Sequence, residues 1–276
     1  MIRRAAGDSF WLITQVDHAR FAGLLAASLS ANGFTSPNDD VKAAIAHHDD
    51  GWSLHDDRPA LNDRGLPLNV FEISMGMATK IWSESVERAA AFGSYAKLLV
   101  SLHQLALADF ATRQSDSTPH ERARNPTERF ELNKFQHRQV EIQESLRREL
   151  NMRTNLPLKL GLAQPGADAK DDQLAYDFQL LTLCDRLSLQ LCMGEPLFPK
   201  IEMPRGLSAR QLPNLRSRFV DEFVVEVTPF PFASGRVASD VPAKRVSATA
   251  FESEAQFQRQ LASEPTQSLT MKVQAG

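Results

Sequence analysis

The sequence predicts a mainly α protein: a helical body with a short N-terminal strand pair and a small β-rich C-terminal part. Two observations lead there. Apolar residues recur at helical spacing through most of the first 195 positions, and the composition changes after Glu195, where EFVVEV, RVSATAF and SLTMKV read as strands and SEAQFQRQL as a short helix. The expected division is residues 1–195, a helical domain with its N-terminal strands, and residues 196–276, a small β-rich region packed on it. With 276 residues, 42% of them hydrophobic, the chain builds one large or two modest cores without staples.

The elements follow in order. SFWLITQ, before Asp17, is rich in bulky and β-branched residues and reads as a strand paired with Met1 to Ala5. From Asp17 to Asn32 a helix carries Phe21, Ala22, Leu25 and Leu29 on one stripe, with His18 one turn earlier, and Asn32-Gly33 stops it. The next helix has Ser36 as N-cap, Pro37 at the first position and acids in the first turn. On it Val41, Ala44, Ile45 and His48 share a face, and His47 is turned about 100° away. Asp50-Gly51 ends this helix, and the long proline-containing stretch WSLHDDRPALNDRGLPLNVF has the length of a functional lid.

Helices then run from Met75 to Ala91 and from Gly93 to Arg113, the second apolar nearly all round and carrying His103. RQSDSTPHERARNPTER is a surface connection, and a charged amphipathic helix follows from Arg129 to Leu150. The last long helix, Asp171 to Met193, repeats Leu174, Phe178, Leu181, Asp185, Ser188 and Cys192 at helical spacing, so Asp185 sits in the middle of an apolar face. Its cysteines, Cys184 and Cys192, lie roughly 12 Å apart along the axis, too far for a disulfide, and read as reduced core residues.

Charge excludes some partners. The formal net charge is −3 with both signs interspersed, so no basic field favours nucleic acid. MIRRAAGDSFWLIT holds no apolar run of signal-peptide length and no later segment approaches a membrane span, which predicts a cytoplasmic protein with no membrane partner.

Function is sought among the polar residues placed where a core residue is expected: His18, His48, His103 and Asp185. A single histidine in such a place is more often a hydrogen-bonded core residue than a ligand. Asp185 asks for more, because a buried carboxylate without a partner costs several kcal/mol and must find a cation, a proton or water. An arginine such as Arg186 or a metal ion would serve. Two of these histidines, His18 and His48, with Asp185 and Asp49 supply the mixed nitrogen and oxygen donors that suit zinc, iron or manganese. Adjacent His48 and Asp49 reach one point only where their helix is ending, as Asp50-Gly51 makes it do.

His18, then His48-Asp49 in the form HDDG, then an isolated Asp185 on a late helix resembles the HD-domain superfamily of metal-dependent phosphohydrolases. The resemblance implies a helical bundle with a divalent ion held by His18, His48, Asp49 and Asp185. Asp49 would also orient the attacking water, and His103 would neutralise charge or protonate the leaving group. At closer range the chain, from MIRR through DHARFAGLLA, HHDDGW and LLVSLH to TPFPF, is similar to an uncharacterised bacterial domain-of-unknown-function family, DUF 3891, which brings no activity with it. The doublet departs from the usual HD motif, being preceded by Ala46-His47 rather than a bulky apolar run and followed by Asp50, and no phosphate-binding set is evident.

His47, Asp50, Trp52 and His55 are expected around the pocket, with a covering role for Trp52 favoured over stacking on substrate. His55-Asp56 is a competing doublet, but no apolar helical face supports it. His120 and His137 read as solvent-facing. The leading expectation is thus a metal-dependent hydrolase acting on a small phosphorylated or anionic metabolite. A di-iron oxygenase would need His103 and a further histidine such as His47, and a non-catalytic metal- or ligand-binding module is the third reading.

Overall fold

The computed structural model describes residues 1–117, 126–154, 166, 168–201, 210 and 212–276. Eight helices flank a seven-stranded sheet among these residues. The strands are β1 (Ile2–Ala6), β2 (Ser9–Ile13), β3 (Lys200–Ile201), β4 (Leu215–Asp221), β5 (Val224–Thr228), β6 (Arg236–Ser247) and β7 (Gln267–Ala275). The helices are α1 (Gln15–Ser28), α2 (Asp39–His47), α3 (Ser53–Asp57), α4 (Met75–Ala89), α5 (Ser94–Ser117), α6 (Pro126–Glu149), α7 (Ala169–Met193) and α8 (Glu254–Ser263).

The mainly α expectation is overturned. The N-terminal strands and the late strands belong to one mixed, curled sheet of order β1-β2-β6-β7-β5-β4-β3, a half-barrel rather than a minor appendage on an HD-like bundle. The hairpin β1–β2, which turns through Gly7 at φ +67°, joins β6 antiparallel, Phe10 facing Val246. β6 pairs with β7 over eight residues, and β5 pairs with β7 in parallel. Periodicity missed this because the pairing of β2 with β6 spans more than 230 residues, whereas helical spacing is visible within a dozen. Pro242 also disguises the long β6.

Arg4 joins the two ends of the curl. From β1 its buried guanidinium donates to the carbonyls of Leu191, in the last turn of α7, and Glu222, in the turn between β4 and β5, and it lies 4.4 Å from the centre of the Phe223 ring. Burial lowers the Arg4 pKa against the opposing pull of Glu222. A cleft of about 310 Å³ opens beside Arg4, Gly194 and Glu222.

α7 is buried along most of its length, and its apolar residues share one core with α1, α2, α5 and the inner face of the sheet. A second cluster, containing Trp52, Ile81, Trp82, Leu132 and Phe135, lies between α4, α5 and α6. α8 caps β2 and β6 through Phe257 and Leu261. The predicted Ser36-Pro37 helix start moves to Asn38, whose side chain accepts from Val41 N at 3.0 Å. The stretch 52–71 contains α3 and is tied down beyond it: Glu72 accepts from Arg3, Asn62 and Arg64, Gly65 O accepts from Phe251 N, and Gln258 donates to Pro59 O. The expected surface connection, 113–129, is helical at both ends, since α5 runs on to Ser117 and α6 begins at Pro126, and residues 118–125 lie outside those described. No helix among those described is long and apolar enough to cross a membrane.

Candidate metal centre

Four helical segments bring the predicted cluster together. Thr14 caps α1 by accepting from Asp17 N at 2.8 Å, and its carbonyl accepts from His18 N, which starts the helix so that His18 turns toward α7. α2 brings in His48, which ends the helix in αR geometry. Asp49 then leaves helical geometry at φ −113°, ψ 18°, in the bridge region, so its carboxylate comes round to the side of His48 rather than 100° away. α5 contributes His103, and Gln104 Nε2 donates to His48 O at 2.9 Å, fixing the helix end. α7 contributes Asp185.

Two close approaches make this possible. Gly23 of α1 meets α2 so tightly that a Cβ would lie 2.5 Å from Ala46 Cβ. Gly51, just past the doublet, packs against the α4 backbone: a Cβ there would lie 2.2 Å from Ile81 O, and Gly51 N donates to Ser85 Oγ at 3.1 Å.

His18 Nε2 lies 3.2 Å from Asp185 Oδ1 and 3.9 Å from Asp49 Oδ2, and His48 Nε2 lies 3.5 Å from each carboxylate. Donor atoms each about 2.0–2.2 Å from one ion are separated by roughly 3.0 Å at right angles and 3.4 Å at tetrahedral angles, a range near which the 3.2 and 3.5 Å spacings fall and beyond which the 3.9 Å spacing lies. The chemistry agrees. His48 Nδ1 donates to Ile45 O at 2.7 Å, which turns Nε2 to the carboxylates as a buried nitrogen without a hydrogen-bond partner. The two imidazoles are almost sealed, at 1% and 0% side-chain exposure, while Asp49 and Asp185 keep 10% and 13%. Access is therefore from the carboxylate side.

Without an ion, a proton fills the same role. Burial works against an imidazolium at His48, but Asp49 and Asp185 outweigh it and raise its pKa to about 9. Burial would raise Asp185, yet the His18 and His48 imidazoles hold it well below the usual carboxylate range. His103 goes the other way, lowered by burial to about 4, and so is neutral at physiological pH. Its ring lies 5.0 Å from that of His48, and with His48 and Asp185 it forms a second possible ligand trio beside His18, His48 and Asp49. The trios share His48, whose one lone pair serves one ion.

The other predicted residues separate from the cluster. His47 faces Asp50, 2.7 Å away, with its ring against Phe92, and Arg20 Nη2 holds the far oxygen of Asp50 at 3.1 Å. His47 is thus turned from the cluster to Asp50 and Phe92. Trp52 is buried in the α4–α6 cluster, and the half-buried His55 lies beside it with ring centres 6.4 Å apart. Asp56, the competing aspartate, accepts from Gln15 N at 2.7 Å and so caps α1 from outside. His137 is exposed, and His120 lies outside the described residues. The cleft beside Arg4 adjoins the far end of α7, eight residues beyond Asp185, and is separate from the cluster.

Sequence reasoning passed over Ser188 and Gln104. Ser188 Oγ lies 2.9 Å from His18 Nδ1 and 3.0 Å from Asp185 O. Its signal was present: a polar residue one turn beyond Asp185 on the same apolar stripe.

Fold and site together define a mixed α/β protein that buries a histidine–aspartate cluster where α1, the end of α2, α5 and α7 meet. The chain belongs to the family described as protein of unknown function, DUF3891, whose model matches residues 1–248. No curated protein and no solved structure matches it.

Proposed function

We propose that the protein is a metal-dependent hydrolase of the HD type in its ligand set, acting on a small phosphorylated or otherwise anionic metabolite. The observation that carries the reading is the convergence of two imidazole nitrogens and two carboxylates at 3.2–3.9 Å, with His48 Nε2 left without a hydrogen-bond partner. His18, His48, Asp49 and Asp185 would hold one ion of zinc, iron or manganese. Such an ion supplies Lewis acidity, favouring hydroxide over water near neutral pH and polarising the bond attacked.

The chain's own groups do the rest. Asp49, on the accessible side, orients the water through its second oxygen. His103 enters as a neutral imidazole, available to take the water's proton or to bind as a fifth ligand, because burial disfavours the imidazolium needed to protonate a leaving group. The slight exposure of the two carboxylates, 10% and 13%, favours a small substrate, and a bound cation would favour an anionic one.

The test is metal analysis of the purified protein, with turnover of a phosphoester panel before and after chelation. Metal near one equivalent and activity lost on chelation and restored by the ion support the reading. A protein that carries no metal, takes up none and turns over nothing refutes it.

A further inference from the structure

Ser188 lies on the buried face of α7 one turn past Asp185, fully enclosed, with two partners for one hydroxyl proton. Asp185 O, 3.0 Å away, only accepts; His18 Nδ1, 2.9 Å away, donates or accepts according to its tautomer. Both contacts are hydrogen bonds at once in a single arrangement: the Ser188 hydroxyl donates to Asp185 O, and His18 Nδ1–H donates to Ser188 Oγ. That arrangement places a proton on His18 Nδ1 and makes Nε2 the nitrogen that faces Asp185 and Asp49, at 3.2 and 3.9 Å. His48 is set the same way by Ile45 O. The two imidazoles thus turn the same nitrogen to the carboxylates, one fixed by a backbone carbonyl, the other by a side chain that mutation can remove.

We propose that Ser188 is the positioning residue of the centre, accepting from His18 Nδ1–H so that Nε2 is the nitrogen turned to the ion's place, and tying the ring's orientation to the helical turn that carries Asp185. The link is short: one hydroxyl joins the backbone of one ligand to the ring of another 167 positions away in the chain. Any turn of α7 that moves Asp185 therefore moves His18 with it. Without the hydroxyl, a buried Nδ1–H loses its acceptor, and the ring gains by moving the proton to Nε2, where Asp185 Oδ1 waits at 3.2 Å. That proton blocks the nitrogen from a metal. Loss of a group that orients a metal-binding histidine commonly lowers affinity 10–100-fold. The inference rests on the metal-centre reading for its consequence, while the tautomer itself is readable without any ion.

The experiment compares the full-length protein with Ser188→Ala and Ser188→Thr. The imidazole ¹⁵N shifts of His18 are recorded in metal-free protein, and zinc affinity is measured by competition with a chromophoric chelator. Expected are a protonated Nδ1 in the wild type, a shift toward the Nε2–H form in Ser188→Ala, a 10–100-fold loss of zinc affinity in that variant, and recovery in Ser188→Thr. A wild-type His18 with an unprotonated Nδ1 overturns the proposal. So does a Ser188→Ala protein whose ¹⁵N pattern and zinc affinity match the wild type, even if its melting temperature falls, since a merely structural serine would move only the latter. If the wild type binds no zinc, manganese or iron, the metal reading fails, and the ¹⁵N shifts still decide the role of Ser188. Should Ser188→Thr not fold, the wild-type and Ser188→Ala spectra suffice.

Discussion

Gly51→Ala is expected to couple a packing defect directly to the site. An added Cβ would stand 2.2 Å from Ile81 O, 2.5 Å from Ser85 N and 2.6 Å from Ser85 Oγ. Favourable carbon contacts begin near 3.5 Å, so the turn must retreat from α4 by about 1 Å, and two of the three obstacles are backbone that no rotamer change removes. Overpacking of this kind costs about 1–3 kcal/mol, and the backbone clash places Gly51→Ala at the upper end. At about 2–4 °C per kcal/mol for a chain of this size, the melting temperature falls by about 6–12 °C. The turn also carries Asp49 two residues earlier, and sites tolerate only about 0.5 Å of displacement, so zinc affinity falls at least tenfold with it. Differential scanning calorimetry and chelator competition measure the two effects. Gly76→Ala, in α4 with nothing within 4 Å of its added Cβ, is the control and should be neutral or stabilising by up to about 1 kcal/mol. A Gly51→Ala protein that melts within a degree of the wild type and keeps its affinity would show that the close approach to α4 is not there.

Four further outcomes follow from named contacts. In metal-free protein the His48 pKa, raised to about 9 from 6.5, contributes stability that is complete below pH 6.5 and lost as pH rises toward 9, on the order of 3 kcal/mol; urea titrations across that range should show it, and His48→Gln should flatten the dependence. His103, lowered to about 4, acts oppositely: the unfolded chain takes up its proton first, so stability falls between pH 6.5 and 4, and His103→Gln should lessen that fall. Arg147 and Asp171, both 2% exposed and 2.6 Å apart, form a buried pair, so Arg147→Met should cost about 3–5 kcal/mol in urea unfolding and Arg147→Met/Asp171→Leu much less; equal losses in the two would argue against a buried pair. Asp56→Ala leaves Thr14 as the N-cap of α1 but removes the acceptor of Gln15 N and the partner of the buried Met1 ammonium, 2.9 Å away, and should cost about 3–5 kcal/mol while leaving zinc affinity unchanged, whereas a large loss of affinity would return His55-Asp56 to candidacy as the ligand doublet.

The candidate site was legible because its signals are local. Helical phase put His18, His48 and Asp185 on apolar stripes, and the Asp50-Gly51 ending let Asp49 join His48. The same phase separated His47, which the structure turns to Asp50 and Phe92. His55 and Asp56 were demoted for lack of an apolar face, yet the structural use of Asp56, as a cap on a helix 41 residues earlier, could not be read from its neighbours in sequence. Gly51 was legible as a stop and not as the point where the doublet packs on α4.

What the sequence by itself determined, then, was the longer helices, without α3, and the polar residues that cannot rest quietly on their buried faces, because a 3.6-residue period and the cost of burying a charge are both written locally. The tertiary structure alone decided that β1 and β2 close onto β6 to make a half-barrel, that Arg4 spans its gap, and that Ser188 reaches His18. Strand register and side-chain meeting points depend on which distant segments share one core, and no window along the chain contains that information.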